Sequence, residues 1–322
     1  MKVFPEIVAE IGFNHNGDVS LACEMIKAAA SAGADAVKFQ TFLASDLALK
    51  SSEHYNIIKN GELSLTEHER LIKTAHENGI IFLSTPFSRA GVDMLESLNI
   101  SAYKVASMDI TNSPLLRHIS STGKPMIVST GMATISEIAE ALDVIKQTGR
   151  NKVILLHCVS KYPTAPDEAN LKSIPFLKSV FSVPVGYSDH VLGNTVAMSA
   201  IAVGASLIEK HFTTDKSLPG PDHKISSDPK ELRTLIREIE NVKKSLGSVS
   251  FCQDRVDRKE AILFRRSLYA KVNIPTGTVI TAEMIKCVRP EKGLKPEFVE
   301  YIIGRTARVD ISEEDPITFE LI

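Results

Sequence analysis

Eight short apolar runs, beginning near residues 7, 35, 80, 102, 125, 153, 183 and 206, are spaced along most of the chain, with helical patterns between most of them. Nothing else in the sequence limits the fold as tightly. The runs are continuously apolar rather than alternating, as in Ile80-Ile81-Phe82-Leu83 and Val153-Ile154-Leu155-Leu156, which marks strands covered on both faces. Covered strands joined by helices pair in parallel, and eight βα units in about 245 residues are what a (β/α)8 barrel requires. A doubly wound open sheet is the competitor. The glycine-rich dinucleotide fingerprint it would carry after the first strand is missing, and eight units favour closure.

Helical patterns fall at 20–32, 66–78, 88–98, 113–121, 135–147, 195–203 and 229–246. The first spaces Leu21, Met25, Ala28 and Ala29 along one side and stops at Gly33. A polar insertion occupies 45–65, and 161–182 reads as irregular. Beyond Leu246 the pattern changes. Residues 1–247 are expected to form the barrel, 248–262 a linker, and 263–322 a small, mostly β domain. That domain has a strand at 267–272, a turn and short β run at 274–280, and a capped helical turn at 281–285. Its size is near the limit at which one core suffices.

The formal net charge of −2 over 322 residues gives no electrostatic case for nucleic acid or an anionic membrane. No apolar run approaches the ~20 residues of a membrane span, and the first residues read as strand rather than as a signal peptide. The four cysteines (Cys23, Cys158, Cys252 and Cys287) are scattered, with no C-x-x-C pair. A cytoplasmic protein with free thiols is the simplest reading.

In a βα barrel, chemistry gathers at the C-terminal ends of the strands. There the sequence offers Glu10, Lys38 with Gln40, Thr85, Lys104 with Ser107, Ser129, Ser160 with Tyr162, Ser188 with His190, and Glu209 with His211. Thr85, Ser107 and Ser129 taken singly are read as caps or turn-makers for the next helix. Lys38 and Lys104 differ, because a bare ammonium inside a covered strand is very costly unless it pairs or reaches a cavity. Glu10 fits an ion-pair role and a substrate role equally. A lone His190 or His211 would be an ordinary polar strand exit. The pair lies in one strand–helix–strand unit, with Asp189 and Glu209 alongside, and suits a divalent metal. Lysines with hydroxyl donors suit a phosphate.

These residues, in order, resemble the sialic acid synthase family, the N-acetylneuraminate synthases and their legionaminate and pseudaminate relatives. The matching pieces include Ala9-Glu10-Ile11-Gly12 with Asn14-His15-Asn16-Gly17, Val37-Lys38-Phe39-Gln40, Ser84-Thr85-Pro86-Phe87 and Tyr103-Lys104-Val105-Ala106-Ser107. The most specific are Tyr187-Ser188-Asp189-His190, Glu209-Lys210-His211-Phe212-Thr213 and Pro219-Gly220-Pro221-Asp222-His223. The C-terminal part resembles the family's antifreeze-like (SAF) domain, with Val288-Arg289-Pro290 at the expected place.

The resemblance implies a condensation of phosphoenolpyruvate with an open-chain N-acetylated hexosamine, giving a nine-carbon 2-keto acid and phosphate. Mn2+ or Mg2+ would be held by His190 and His211. Phosphoenolpyruvate would be held by Lys38, Thr85, Lys104, Ser107, Ser129, Ser160 and Ser188, with Ser160 standing where some members carry Asn. The sugar would meet Glu10, Gln40, Tyr162, Asp222 and Arg289, and Glu10, Lys38 and Lys104 would be catalytic. In the family the arginine reaches the barrel of the partner subunit, which implies a domain-swapped homodimer. The acceptors implied are N-acetylmannosamine and a 2,4-diacetamido-2,4,6-trideoxy hexose of manno configuration. The rival readings are a synthase of another surface-polysaccharide keto acid, a barrel synthase of shorter keto acids, a metal-dependent aldolase, and a non-enzymatic carbohydrate-binding protein.

Overall fold

The computed structural model describes residues 4–149, 151–249 and 257–322. Eight parallel strands close into a barrel: β1 Ile7–Glu10, β2 Ala36–Thr41, β3 Ile81–Pro86, β4 Tyr103–Val105, β5 Met126–Ser129, β6 Val153–Cys158, β7 Val185–Asp189 and β8 Ile208–His211. Each pairs with the next in sequence, and β8 returns to pair with β1, so no edge is left. The open-sheet alternative is thereby excluded.

Alternation along each strand sorts the side chains. The outward set, including Val37, Phe39, Tyr103, Val128 and Tyr187, packs with the helices in the main apolar core. The lower inward set, Val8, Ala36, Leu83, Ala102, Ile127, Ile154, Leu156 and Leu207, forms a second core that plugs the barrel. At Gly186 any Cβ would fall 2.6 Å from the Leu207 carbonyl oxygen and 2.7 Å from Leu156, so the plug admits only glycine there.

Capping fixes several connections. Ser64 and Thr134 make reciprocal capping boxes with Glu67 and Glu137, and Asp228 does the same with Glu231 ahead of the helix Pro229–Leu246. The segment 161–182, read from sequence as irregular, contains the helix Ser173–Phe181, which buries Ile174 and Leu177. It has no side-chain N-cap and holds Pro175 in its first turn, so the usual start signal is absent. The insertion at 45–65 carries two short helices, Ala44–Leu47 and Tyr55–Asn60.

Chain contacts divide the molecule into two compact units, Met1–Gly247 and Ser248–Ile322. Part of the expected linker, 250–256 with Cys252, lies outside the described residues. Its last portion is helical, Arg258–Phe264. The second unit has strands β9 Ser267–Ala270 and β10 Ile285–Val288, paired antiparallel. The β run expected at 274–280 reduces to single bridges, Ile274 to Ile311 and Val279 to Thr306. Leu268, Ile274, Ile280, Ile302, Ile311 and Ile317 form its core. Among the described residues no helix is long and apolar enough to cross a membrane.

Candidate active site

Two residues beyond the apolar plug, the same inward faces turn polar. Val8 is followed by Glu10, Ala36 by Lys38, Leu83 by Thr85, Ala102 by Lys104, Ile127 by Ser129, Leu156 by Cys158 and Leu207 by Glu209. Strand pairing puts Glu10 beside both Lys38 and His211, and Ser188 beside Glu209. The result is a cavity of about 290 Å3 lined by every barrel residue proposed above, from Glu10 to Asp222.

The cavity floor is a cluster of alternating charges. The Lys38 ammonium lies 2.9 Å from Glu10 and 3.7 Å from Glu209, and Lys104 lies 3.6 Å from Glu209. All four residues are buried. Lys38 also approaches the Thr85 hydroxyl at 3.5 Å, and Ser188 donates to Glu209 at 2.8 Å. Burial pushes the Glu10 carboxyl up to about 7, against the pull of Lys38 and with the help of Glu209. Burial would raise Glu209 too, but Lys104 and Lys38 outweigh it and hold that carboxyl at about 2. Lys38 sits closer to Glu10 than to Glu209, yet Glu10 is the one raised. Glu209 has two ammonium neighbours and a hydroxyl donor, and that larger set decides which carboxylate stays ionised. Lys104 is lowered, first by burial; Lys38 is raised because Glu10 and Glu209 overcome its burial.

The hydroxyls at the strand ends are not the caps of the following helices. Ser88, Asn112 and Thr134 fill those positions, leaving Thr85 and Ser129 turned into the cavity. Ser107 begins a 3-10 turn, accepts from the Gly131 amide at 3.0 Å and lies 3.2 Å from the Cys158 sulfur. A Cβ on Gly131 would fall 2.7 Å from both Cys158 Sγ and Ser160 Oγ, so a backbone without a side chain is required at this wall. Gln40 donates to Glu10 at 3.4 Å.

His190 and His211 meet across the β7–β8 edge, ring centroids 5.4 Å apart. His190 Nδ1 lies 2.7 Å from the Val159 carbonyl oxygen, so that nitrogen carries the proton and Nε2 keeps its lone pair. His211 Nδ1 is buried with no hydrogen-bond partner; the nearest carboxylate oxygen, on Asp222, is 3.7 Å away. Burial lowers both imidazoles, His211 to about 3 with help from His190, so both are neutral. A fixed tautomer, an orphaned ring nitrogen and two neutral imidazoles fit a divalent cation. Among the described residues no group of three protein ligands surrounds them, so solvent or substrate would complete the coordination. Tyr162 covers the pair from the rim, its ring 4.1 Å from that of His190.

Arg289 belongs to the second unit, where its guanidinium lies 5.4 Å from the Phe264 ring centroid. Sequence reasoning set Glu209 beside the histidines as a carboxylate that suits a metal but assigned it to no ligand or substrate set, although its spacing of two from His211 puts both on one face. It also missed Cys158 and the apolar lining of Phe13, Phe87, Met108 and Met132.

Residues 25–251 match the model of the NeuB family and residues 265–322 that of the SAF domain. The chain is 43% identical to an uncharacterized protein of Methanocaldococcus jannaschii, over 98% of this chain and 93% of that protein. It is 40% identical to the N,N'-diacetyllegionaminic acid synthase of Legionella pneumophila, over 98% and 94%. The crystal structure of an N-acetylneuraminic acid synthetase from Leptospira borgpetersenii superposes with a TM-score of 0.75 at 39% identity, covering 80% of this chain and 88% of that one.

Proposed function

The chain belongs to the NeuB family, and on that premise we propose that it condenses phosphoenolpyruvate with an open-chain N-acetylated hexosamine, releasing phosphate and a nine-carbon 2-keto acid. The observation that carries this reading is the cavity floor: two buried ammonium groups ringed by hydroxyls, in one cavity with a carboxyl held near neutrality. An anion fits the lysines and hydroxyls, and a reacting carbonyl fits the opposite side, where Glu10, Gln40, Asp222 and the imidazoles converge.

In this mechanism Lys38 and Lys104, with Thr85, Ser107, Ser129, Ser160 and Ser188, hold the phosphate and carboxylate of phosphoenolpyruvate. Mn2+ or Mg2+, held by His190 and His211, would polarise the sugar aldehyde. C3 of phosphoenolpyruvate attacks the aldehyde carbon, and C2 becomes cationic. Protonated Glu10 gives its proton to the new C1 oxygen. The resulting carboxylate takes a proton from the water that adds at C2, which restores Glu10. The tetrahedral intermediate then expels phosphate, which carries off the proton of the C2 hydroxyl as the C2 carbonyl forms. Gln40, Tyr162 and Asp222 orient the sugar. Arg289, supplied by the partner subunit of a domain-swapped homodimer working in the cytoplasm, meets its N-acetyl group.

The acceptors in view are N-acetylmannosamine and the 2,4-diacetamido-2,4,6-trideoxy hexose. Phosphate release from phosphoenolpyruvate with each, with and without Mn2+, tests the reading. Release with either and none with arabinose 5-phosphate or erythrose 4-phosphate supports it. Release only with the shorter aldose phosphates would overturn it.

A further inference from the structure

The two histidine-bearing strands carry a second pair of polar residues that the proposed chemistry does not use. Asp189 precedes His190 and Lys210 precedes His211, so alternation turns both away from the cavity and into the layer between strand and helix. A charged side chain in that layer is costly unless fully partnered. Asp189 and Lys210 are register partners across β7 and β8 and are fully buried. The Lys210 ammonium donates to Asp189 Oδ2 at 2.6 Å, to the Gly193 carbonyl at 2.9 Å, and to the Val191 carbonyl. All three of its donors are therefore used. The other Asp189 oxygen accepts from the Val191 amide at 2.9 Å.

Every one of these bonds ends on the segment 189–193, in which His190 is the second residue. The far side of that segment is held as well: Thr164 donates its amide to the His190 carbonyl at 3.0 Å, and His190 Nδ1 donates to Val159. We infer that Lys210 and Asp189 are positioning residues, an internal clamp that folds the turn after β7 around one ammonium and so fixes the place and tautomer of His190 opposite His211. A buried ion pair adds little to stability compared with apolar residues of the same size. Its use here is geometric. The inference rests on the reading of His190 as a metal ligand, and its test separates the two.

The test is Lys210→Met with Asp189→Asn, which removes both buried charges and leaves an oxygen to accept from Val191. Three measurements are made on the folded, full-length protein. In metal-free protein with 15N-labelled histidine, parent His190 should show the single Nδ1–H tautomer, and the variant a mixture. Mn2+ affinity, read by electron paramagnetic resonance on the metal alone, should fall at least tenfold. The kcat should fall at least tenfold while KM for phosphoenolpyruvate stays within twofold, because β2 and β4 are untouched. If the double variant does not fold, Asp189→Asn alone decides by the same measurements with a smaller change, since Lys210 keeps its two carbonyls. An unchanged His190 signature or unchanged Mn2+ affinity in a folded variant overturns the inference. If the parent binds Mn2+ no better than a His190→Ala/His211→Ala protein, the metal reading falls instead. The tautomer signature then decides the clamp on its own.

Discussion

The apolar plug of the barrel and the charged cavity floor above it are built on the same strands, two residues apart, and share almost no chemistry. Leu207 belongs to the apolar plug while Glu209 faces two ammonium groups; Ile127 packs in the plug while Ser129 faces the cavity. One step of alternation, about 7 Å along a strand, separates residues that hold the ring together from residues held by it. The plug gains free energy by leaving water. The cavity floor spends some of it by keeping Glu10, Lys38, Lys104 and Glu209 out of water in charged or half-charged form. Stability and reactivity are therefore separable by position.

Variants on either side of this divide can break or sharpen it. Lys104→Met should lower kcat/KM at least ~1000-fold, since a buried donor aimed at developing charge is lost. Its melting temperature should shift less than that of any plug variant. Phosphate-release kinetics with calorimetry decides, and near-parent turnover would erase the distinction. Ile127→Ala should destabilise by about 2–5 kcal/mol through a cavity at the plug. Below its melting temperature it should keep kcat/KM within about fivefold of the parent.

A titration gives the next effect. Glu10 sits near 7 in the fold against 4.5 unfolded. Below 4.5 both states are protonated. As pH rises from 4.5 to 7 only the unfolded state loses the proton, so the Glu10 contribution to stability declines across that window, by up to about 3 kcal/mol. Denaturant melts at several pH values should show this slope in the parent and not in Glu10→Gln. A parallel slope in the variant would assign it elsewhere. The smallest change is expected at Ser160→Ala. This hydroxyl meets the Gly131 wall at the edge of the proposed anion site, and its loss should raise KM for phosphoenolpyruvate by about fivefold, on the order of 1 kcal/mol.

Much of this was legible from sequence. Continuous apolar runs gave the strands, and counting them gave closure. The strand-end rule then led to the cavity residues carrying charge or hydroxyl, because in parallel barrels that position and the mouth of the cavity coincide; Asp222 lies outside that rule and came only from the family resemblance. The helix Ser173–Phe181 was not legible, because it lacks a side-chain cap and starts against a proline. Glu209 was seen as a neighbour of His211 but given no partner, since ion pairs form between strands and register is not written in one strand. Lys210 was quoted within a motif without a role for the same reason: only the pairing of β7 with β8 shows where its ammonium ends. In the second unit, isolated bridges at Ile274 and Val279 leave too short a pattern for periodicity to register.

The seam where β8 meets β1 sets Glu10 against His211, residues 201 positions apart. A chain emerging from the ribosome displays Lys38 and Lys104 early, yet the imidazole of His211 arrives with the final stave of the barrel. Competence cannot accumulate by degrees along such a molecule. If the proposed chemistry needs both groups, it is complete only when β8 closes on β1, and a chain ending before β8 should release no phosphate.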